Sequence, residues 1–185
     1  MGRVISFEGE GVAKLRHRLG EAEEARANLA AFAAGHHAAT AAIHAAVVEA
    51  ASRVDLAELA ETVTQRWPAI LGVDACAFAL IISGEGFRFD RKGVFSVEPQ
   101  WIRSAGEGDE IQLSSERRGD PLFGEASGQL RSQAVIRISG PASVEGVLLL
   151  GQSSDDPVGS PEGNELLCFL GRALGAMIGR CIATK

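Results

Sequence analysis

The stretch Gln133–Lys185 restricts the fold most, because its apolar period changes along its length. Ala134, Ile136 and Ile138 alternate with Gln133, Val135, Arg137 and Ser139, the period of two of a half-buried strand. Gly140-Pro141 interrupts this run, and Val147–Leu150 resumes it as a wholly apolar strand between Gly146 and Gly151. Ser160-Pro161-Glu162 then reads as a helix start, with serine as cap, proline in the first turn and a carboxylate at the positive end of the dipole. Beyond it Leu166, Leu167, Leu170, Ala173, Leu174, Met177, Ile178, Cys181 and Ile182 form a broad apolar helical face. A hairpin cannot bury its face alone, so this helix is its expected cover. Gly171, Gly175 and Gly179 recur every four residues, and each weakens a helix by about 1 kcal/mol relative to alanine. Another backbone is therefore expected close to this ridge, with the alanine-rich first helix as its natural partner.

That first helix spans Val12 to about Ala51, rich in alanine and free of proline. Leu15, Ala22, Leu29, His36, Ile43 and Ala50 recur every seven residues, with Ala25, Phe32, Ala39 and Ala46 at the companion positions. Such a stripe of small residues serves either as the packing face of a helix on its own domain or as a seam between two copies. Gly20 and Gly35 leave open whether the arm is one helix or two or three shorter ones. Residues 1–11 lack periodicity and read as a flexible tail.

Asp55 is a plausible cap for a helix over Leu56–Trp67, whose Leu56, Leu59, Ala60, Val63 and Trp67 share a face. Pro68 bends or ends it, and Gly72 closes the segment. Ala75–Ile82 reads as a buried strand, Ser83–Gly86 as a turn, and Phe87 and Phe89 as the inward positions of a second strand in the same hairpin. Residues 91–130 carry short apolar pieces in a glycine-, serine- and charge-rich background. They are expected to contribute one more strand, a long loop and a short helix near Leu122–Leu130, and to act as the lid of any pocket.

Few kinds of chemistry suit these residues. All four histidines, His17, His36, His37 and His44, lie in the first helix, and none of their spacings suits one metal. The chain has no tyrosine, and its lysines are Lys14, Lys92 and Lys185. The pairs Asp109-Glu110 and Asp155-Asp156 sit in loop-like surroundings and read as solvation. No nucleophile elbow, zinc spacing or phosphate-cradling loop occurs. A cysteine-dependent enzyme would need Cys76 accessible and activated. The reading is therefore non-enzymatic, without metal or cofactor. A net charge of −6 argues against direct nucleic-acid or anionic-membrane binding. Three cysteines in apolar patterns, and a start with no apolar run of signal length, point to a cytoplasmic protein. Leu166–Ile182 is interrupted by Arg172 and Arg180 and is short for a membrane span. Trp101, Phe123 and Arg131 are the candidate ligand-binding residues, two aromatic walls and an orienting charge. Their plainer reading is two plugs at the sheet edge and a solvated arginine.

Four ordered blocks, Leu122-Phe123-Gly124, Leu130–Val135, Gly146–Gly151 and Gly163–Leu170, resemble those of the bacterial family called domain of unknown function 484. The likeness extends upstream through the helix before Gly72-Val73-Asp74 into the arm, and so covers nearly the whole chain. It departs where Val158 stands in place of a usual phenylalanine. That family is similar in fold to GAF domains, small-molecule sensor modules built on an antiparallel sheet flanked by helices. The resemblance implies an α+β domain over 52–185, preceded by the helical arm 12–51 and the tail 1–11. It implies no catalytic residue. The Asn-Lys…Phe…Asp-Glu signature of cyclic-nucleotide GAF domains is missing, and residues 52–185 lack the histidine that bilin-binding members use with a cysteine. The expected function is a sensor or regulatory module for an unidentified small molecule, homodimeric through its terminal helices. The alternative is a protein-binding adaptor with a vestigial pocket.

Overall fold

The structure, a computed structural model, describes residues 7–115, 119–140, 144–158 and 163–183, without the side chains of 7–15 and Phe32. The tail over 1–6, the turn at Pro141 and the helix start at Ser160-Pro161-Glu162 lie outside the described residues. The chain divides into two compact units, one ending at Ala38 and the other starting at Ala39. Sequence periodicity puts the end of the arm at 51. The difference is the last turns of helix α1 (Phe7–Ala51), which bury Ile43, Ala46 and Ala50 within the second unit. Helix α1 is continuous over 45 residues, through Gly20 and Gly35.

After α1 the chain reverses through Asp55, whose carboxylate accepts the Glu58 N–H (2.8 Å) and caps α2 (Leu56–Glu61). The helix continues past the expected end at Trp67. It widens into a π turn (Thr62–Arg66) and resumes as α3 (Trp67–Leu71). Pro68 falls in the first turn of α3, where its missing N–H costs little, and Gly72 (φ 69°) terminates the segment. Trp67 is fully buried and donates its indole N–H to the Ala46 carbonyl (3.0 Å), tying α3 to α1.

Six strands form one sheet: β1 (Ala75–Ile82), β2 (Glu85–Asp90), β3 (Gly93–Val97), β4 (Ile111–Ser115), β5 (Ser132–Gly140) and β6 (Val144–Gln152). Their order is β3-β2-β1-β6-β5-β4, and every neighbouring pair is antiparallel. Between β3 and β4 lies α4 (Pro99–Ala105), and between β4 and β5 a 3-10 segment (Pro121–Gly128). Residues 91–130 are thus more regular than expected, holding two strands and a further helix. One strand more than expected lies here, because both strands sit at sheet edges and carry weak patterns. Most of β3 is exposed on either face, so it shows no alternation.

Residues opposite each other in a ladder share a face. Phe78 faces Phe89 on one side and Leu148 on the other, and Leu148 faces Ile136. This row belongs to the larger core, covered by the last turns of α1, by α2–α3 and by α5 (Asn164–Ala183). The Phe78 and Phe89 rings stack at 4.4 Å. Val158 fills its place in this core at 5% exposure, so the departure from phenylalanine leaves the region buried. By length and composition α5 could cross a bilayer, yet half of its most apolar window is buried inside the domain. It is a core layer here.

The glycine ridge corrects one expectation. A Cβ on Gly171 would lie 2.7 Å from Ile136 Cγ2 and 2.8 Å from the Arg137 carbonyl, and one on Gly175 would run into the backbone of Ser139 and Gly140. At Gly171 and Gly175 the close backbone is that of β5, not that of the first helix. Helix α1 meets α5 through side chains, with the His44 ring edge-on to Phe169 at 6.3 Å. Arg180 donates to the carbonyls of Ala51 and Arg53, at 2.9 and 2.8 Å.

Candidate functional site

The face of the sheet away from the long helices carries the site. There β1 presents Ala75, Ala77 and Ala79, residues too small to fill the space above them. Ile102 of α4, Leu122 and Phe123 of the 3-10 segment and Leu130 fill it instead, each at most 2% exposed. Gly151 makes room for them: a Cβ there would meet Leu130 Cδ1 at 2.6 Å and Phe123 at 3.0 Å. Gly124 (φ 65°, ψ −132°) kinks the 3-10 segment above an Arg88–Asp90 ion pair (3.1 Å). The middle of this face is therefore solid.

Toward β4 the plug ends, and a cleft of about 560 Å³ opens between α4 and the 3-10 segment. Trp101, Ser104 and Ala105 form one wall, and Asp120, Pro121 and Leu122 the other. The floor is Gln112 and Ser114 of β4 with Gln133 and Val135 of β5. The polar groups are fixed by local bonds. Gln133 Oε1 accepts the Asp120 N–H (2.7 Å), and the Asp120 carboxylate accepts the Leu122 N–H (2.8 Å). Partial burial pushes the Asp120 carboxyl above its ordinary range, against the opposing pull of the Leu122 bond. The Gln112 amide donates to the carbonyls of Ala105 (3.3 Å) and Glu107. Arg137 donates to Gly106 (2.7 Å) and Gly108 (2.6 Å), which closes the C-terminal end of α4. The cleft combines an aromatic wall, side-chain amides and hydroxyls, and one carboxyl. It can hold a small polar molecule, and it offers no nucleophile with a base beside it.

A second cavity of about 350 Å³ lies between the π turn and the 3-10 segment. Thr64, Asp74, Cys76 and Asp90 line it, and an ion pair between Lys92 and Glu125 stands at its edge. Cys76 is 3% exposed, and burial pushes its thiol far above its ordinary range, so it is not an activated nucleophile. Asp74 is held below the usual carboxylate range by the hydroxyl and N–H of Ser153. Glu110, expected to be a solvated loop carboxylate, instead makes a two-pronged contact with Arg172 (3.0 and 2.9 Å) that pins α5 beside β4. Among the described residues no cluster of histidine, cysteine, aspartate or glutamate could hold a metal ion.

The three candidate residues occupy different places. Trp101 is 54% exposed and walls the larger cleft. Phe123 is buried behind that cleft and borders the second cavity. Arg131 is exposed just before β5, lines neither cavity, and bonds through its backbone N–H to the Gln152 carbonyl (2.7 Å). Sequence reasoning missed Asp120, Gln133 and Gln112. Asp120-Pro121 carried a usable signal, a capping residue followed by a first-turn proline.

No protein-family model and no curated protein matches the chain. Solved structures do match. The GAF domain of an Acinetobacter phosphoenolpyruvate-protein phosphotransferase superposes with a TM-score of 0.59 at 17% identity, covering 78% of this chain and 94% of that one. The fold is GAF-like. The GAF domain of a Coxiella burnetii phosphoenolpyruvate-protein phosphotransferase (ptsP) gives 0.59 at 16% identity, over 77% and 94% of the two chains. The Stigmatella aurantiaca phytochrome photosensory core module gives 0.53 at 14% identity, over 78% of this chain and 37% of that one.

Proposed function

We propose that this chain is a non-enzymatic, cytoplasmic GAF-like sensor module that binds a small polar molecule in the cleft between α4 and the 3-10 segment. One observation carries the reading. The cleft's volume of about 560 Å³ is that of a small-molecule site, and it opens on the sheet face that no long helix covers. Trp101 is the ligand-contacting aromatic residue, Phe123 supports the cleft from behind, and Arg131 lies outside it. The blocks that resemble the domain of unknown function 484 family fit the same reading, since Leu122 and Phe123 belong to the plug that bounds the cleft and Val147 and Leu149 to the sheet face beneath it.

The dimer runs through the arm. Leu29 is 69% exposed, and the other described members of its heptad stripe before Ile43 are exposed too. A second copy would cover them as a helical seam. Ligand binding would bias the packing of α4 and the 3-10 segment, and the dimer would transmit that bias. The adaptor reading draws on the plug itself, because Ile102, Leu122 and Phe123 already fill the centre of the face.

Tryptophan emission separates the two readings. Trp67 is buried and Trp101 faces the cleft, so a bound metabolite should raise the melting temperature and alter emission in wild type and Trp67→Phe. In Trp101→Phe the emission change should vanish. If metabolite mixtures change neither quantity, the sensor reading fails and the adaptor stands.

A further inference from the structure

The outer edge of β3 is one of the two open edges of the sheet. Among the described residues no strand lies beyond β3, which ends the order β3-β2-β1-β6-β5-β4. Natural edge strands are blunted by charge, proline or a bulge, because unpaired N–H and C=O groups otherwise template further pairing. Gly93-Val94-Phe95-Ser96-Val97 contains no charge and no proline, and it pairs with β2 in an unbroken register. Val94 is 57% exposed and Phe95 40% exposed. The Phe95 ring is held by the Arg88 guanidinium, whose carbon lies 4.6 Å from the ring centroid. Phe95 also shares an open recess with Trp101 of α4, itself 54% exposed. An apolar strand edge beside two exposed aromatic side chains is a surface built to be covered.

The charges at its ends select the occupant. The segment reads Lys92-Gly-Val-Phe-Ser-Val-Glu98, with a cation before the strand and an anion after it; the exposed Lys92 ammonium pairs with Glu125 of its own chain, a partner it would exchange for Glu98 of the second copy. Laid antiparallel on a second copy of itself about Phe95, Val94 meets Ser96, Gly93 meets Val97, and Lys92 meets Glu98 at both ends. Any other self-register, or a parallel one, loses this double match. We infer that β3 pairs antiparallel with β3 of a second copy, joining two six-stranded sheets edge to edge with Phe95 on the two-fold axis. The contact is small and belongs to the transient class of interfaces. It does not depend on the cleft or on the helical arm.

The full-length chain tests this directly. Phe95→Cys should form a disulfide-linked dimer under mild oxidation, because residues opposite each other in an antiparallel pair bring their Cβ atoms to about 5 Å. Ser96→Cys, which the register sets away from its own copy, should cross-link much less. In the Phe95→Cys background, Lys92→Glu or Glu98→Lys alone should reduce cross-linking about tenfold, as two exposed ion pairs become repulsive. The double exchange Lys92→Glu/Glu98→Lys should restore it. Wild type, whose Cys76 and Cys181 are buried, gives the background. Should Phe95→Cys destabilise the fold, light scattering of the charge variants alone asks the same question at an unaltered Phe95. Equal yields at 95 and 96, or single charge variants that behave as wild type, would overturn the pairing. So would cross-links to other proteins with none between copies.

Discussion

Gly175 of α5 lies against Gly140 at the end of β5 so closely that neither has room for a side chain. Helix and strand backbones touch there, and the contact sets how near the last helix sits to the sheet. Gly175→Ala should therefore destabilise the domain by about 1–3 kcal/mol, the overpacking cost exceeding the gain in helix propensity of about 1 kcal/mol. Gly35→Ala should behave in the opposite way, since nothing lies within 4 Å of its Cβ position. Urea denaturation reads the first, and slower amide exchange around residue 35 reads the second.

Trp67 ties the last turns of α1 to the domain through its bond to the Ala46 carbonyl. Trp67→Phe keeps most of the packing and loses the bond, so a loss of about 1–2 kcal/mol is expected. A chemical denaturation midpoint that does not move would show that the bond adds nothing.

Arg88 and Asp90 form a largely buried pair under Gly124, with side-chain exposures of 17% and 9%. Asp90→Ala would leave the largely buried guanidinium beside the Phe95 ring without its carboxylate partner, at a cost of about 2 kcal/mol. Gly124→Ala attacks the same place from above, because its positive φ and the Asp90 carboxylate 2.6 Å from a Cβ both oppose a side chain. The two variants should lower the melting temperature comparably.

The carboxylates give stability a pH dependence of opposite signs. Asp74 and Glu110 are held low by hydrogen bonds to Ser153 and Arg172, so their stabilisation is present above the ordinary carboxylate range and lost as pH falls through their lowered pKa values. Asp120 is raised by burial, so it favours folding below its ordinary range, and that advantage is lost as pH rises through its raised pKa. Asp120→Asn, which can still accept the Leu122 N–H, should gain on wild type as pH rises through that window and hold its gain to neutrality. Thermal melts from pH 3 to pH 7 would show it. A difference that shrinks with pH would contradict the assignment.

Thiol labelling checks the absence of a cysteine nucleophile. Cys76 and Cys181 are buried, and Cys168, half-buried, is raised by burial and by the neighbouring Glu110. The folded chain should react slowly at Cys168 alone, and all three thiols should react in denaturant. Fast labelling of Cys76 in the native state would reopen the enzymatic reading.

Legibility followed burial. Strand β1 and the Asp55 cap were readable because each announces itself locally, by a continuous apolar run or by a short side chain before a helical pattern. Strand β3 was not, since an exposed edge strand leaves no alternation to read. At the cleft, Trp101 stood out as an aromatic residue in an irregular stretch. Gln112, Asp120 and Gln133 did not, because a floor residue is defined by what lies across from it, and the ladder that sets Gln112 opposite Val135 is long-range.

The sequence by itself determined the buried elements, their alternation of inward and outward residues, and the need for a close backbone along Gly171 and Gly175. Side-chain size, period and capping chemistry act over a few residues and need no partner. Only the tertiary structure decided which backbone that is, that Phe123 is a plug rather than a wall, and that the cleft opens over β4 and β5. Those outcomes depend on which distant faces meet, and the glycines that permit the closest meetings have no side chain with which to signal a partner.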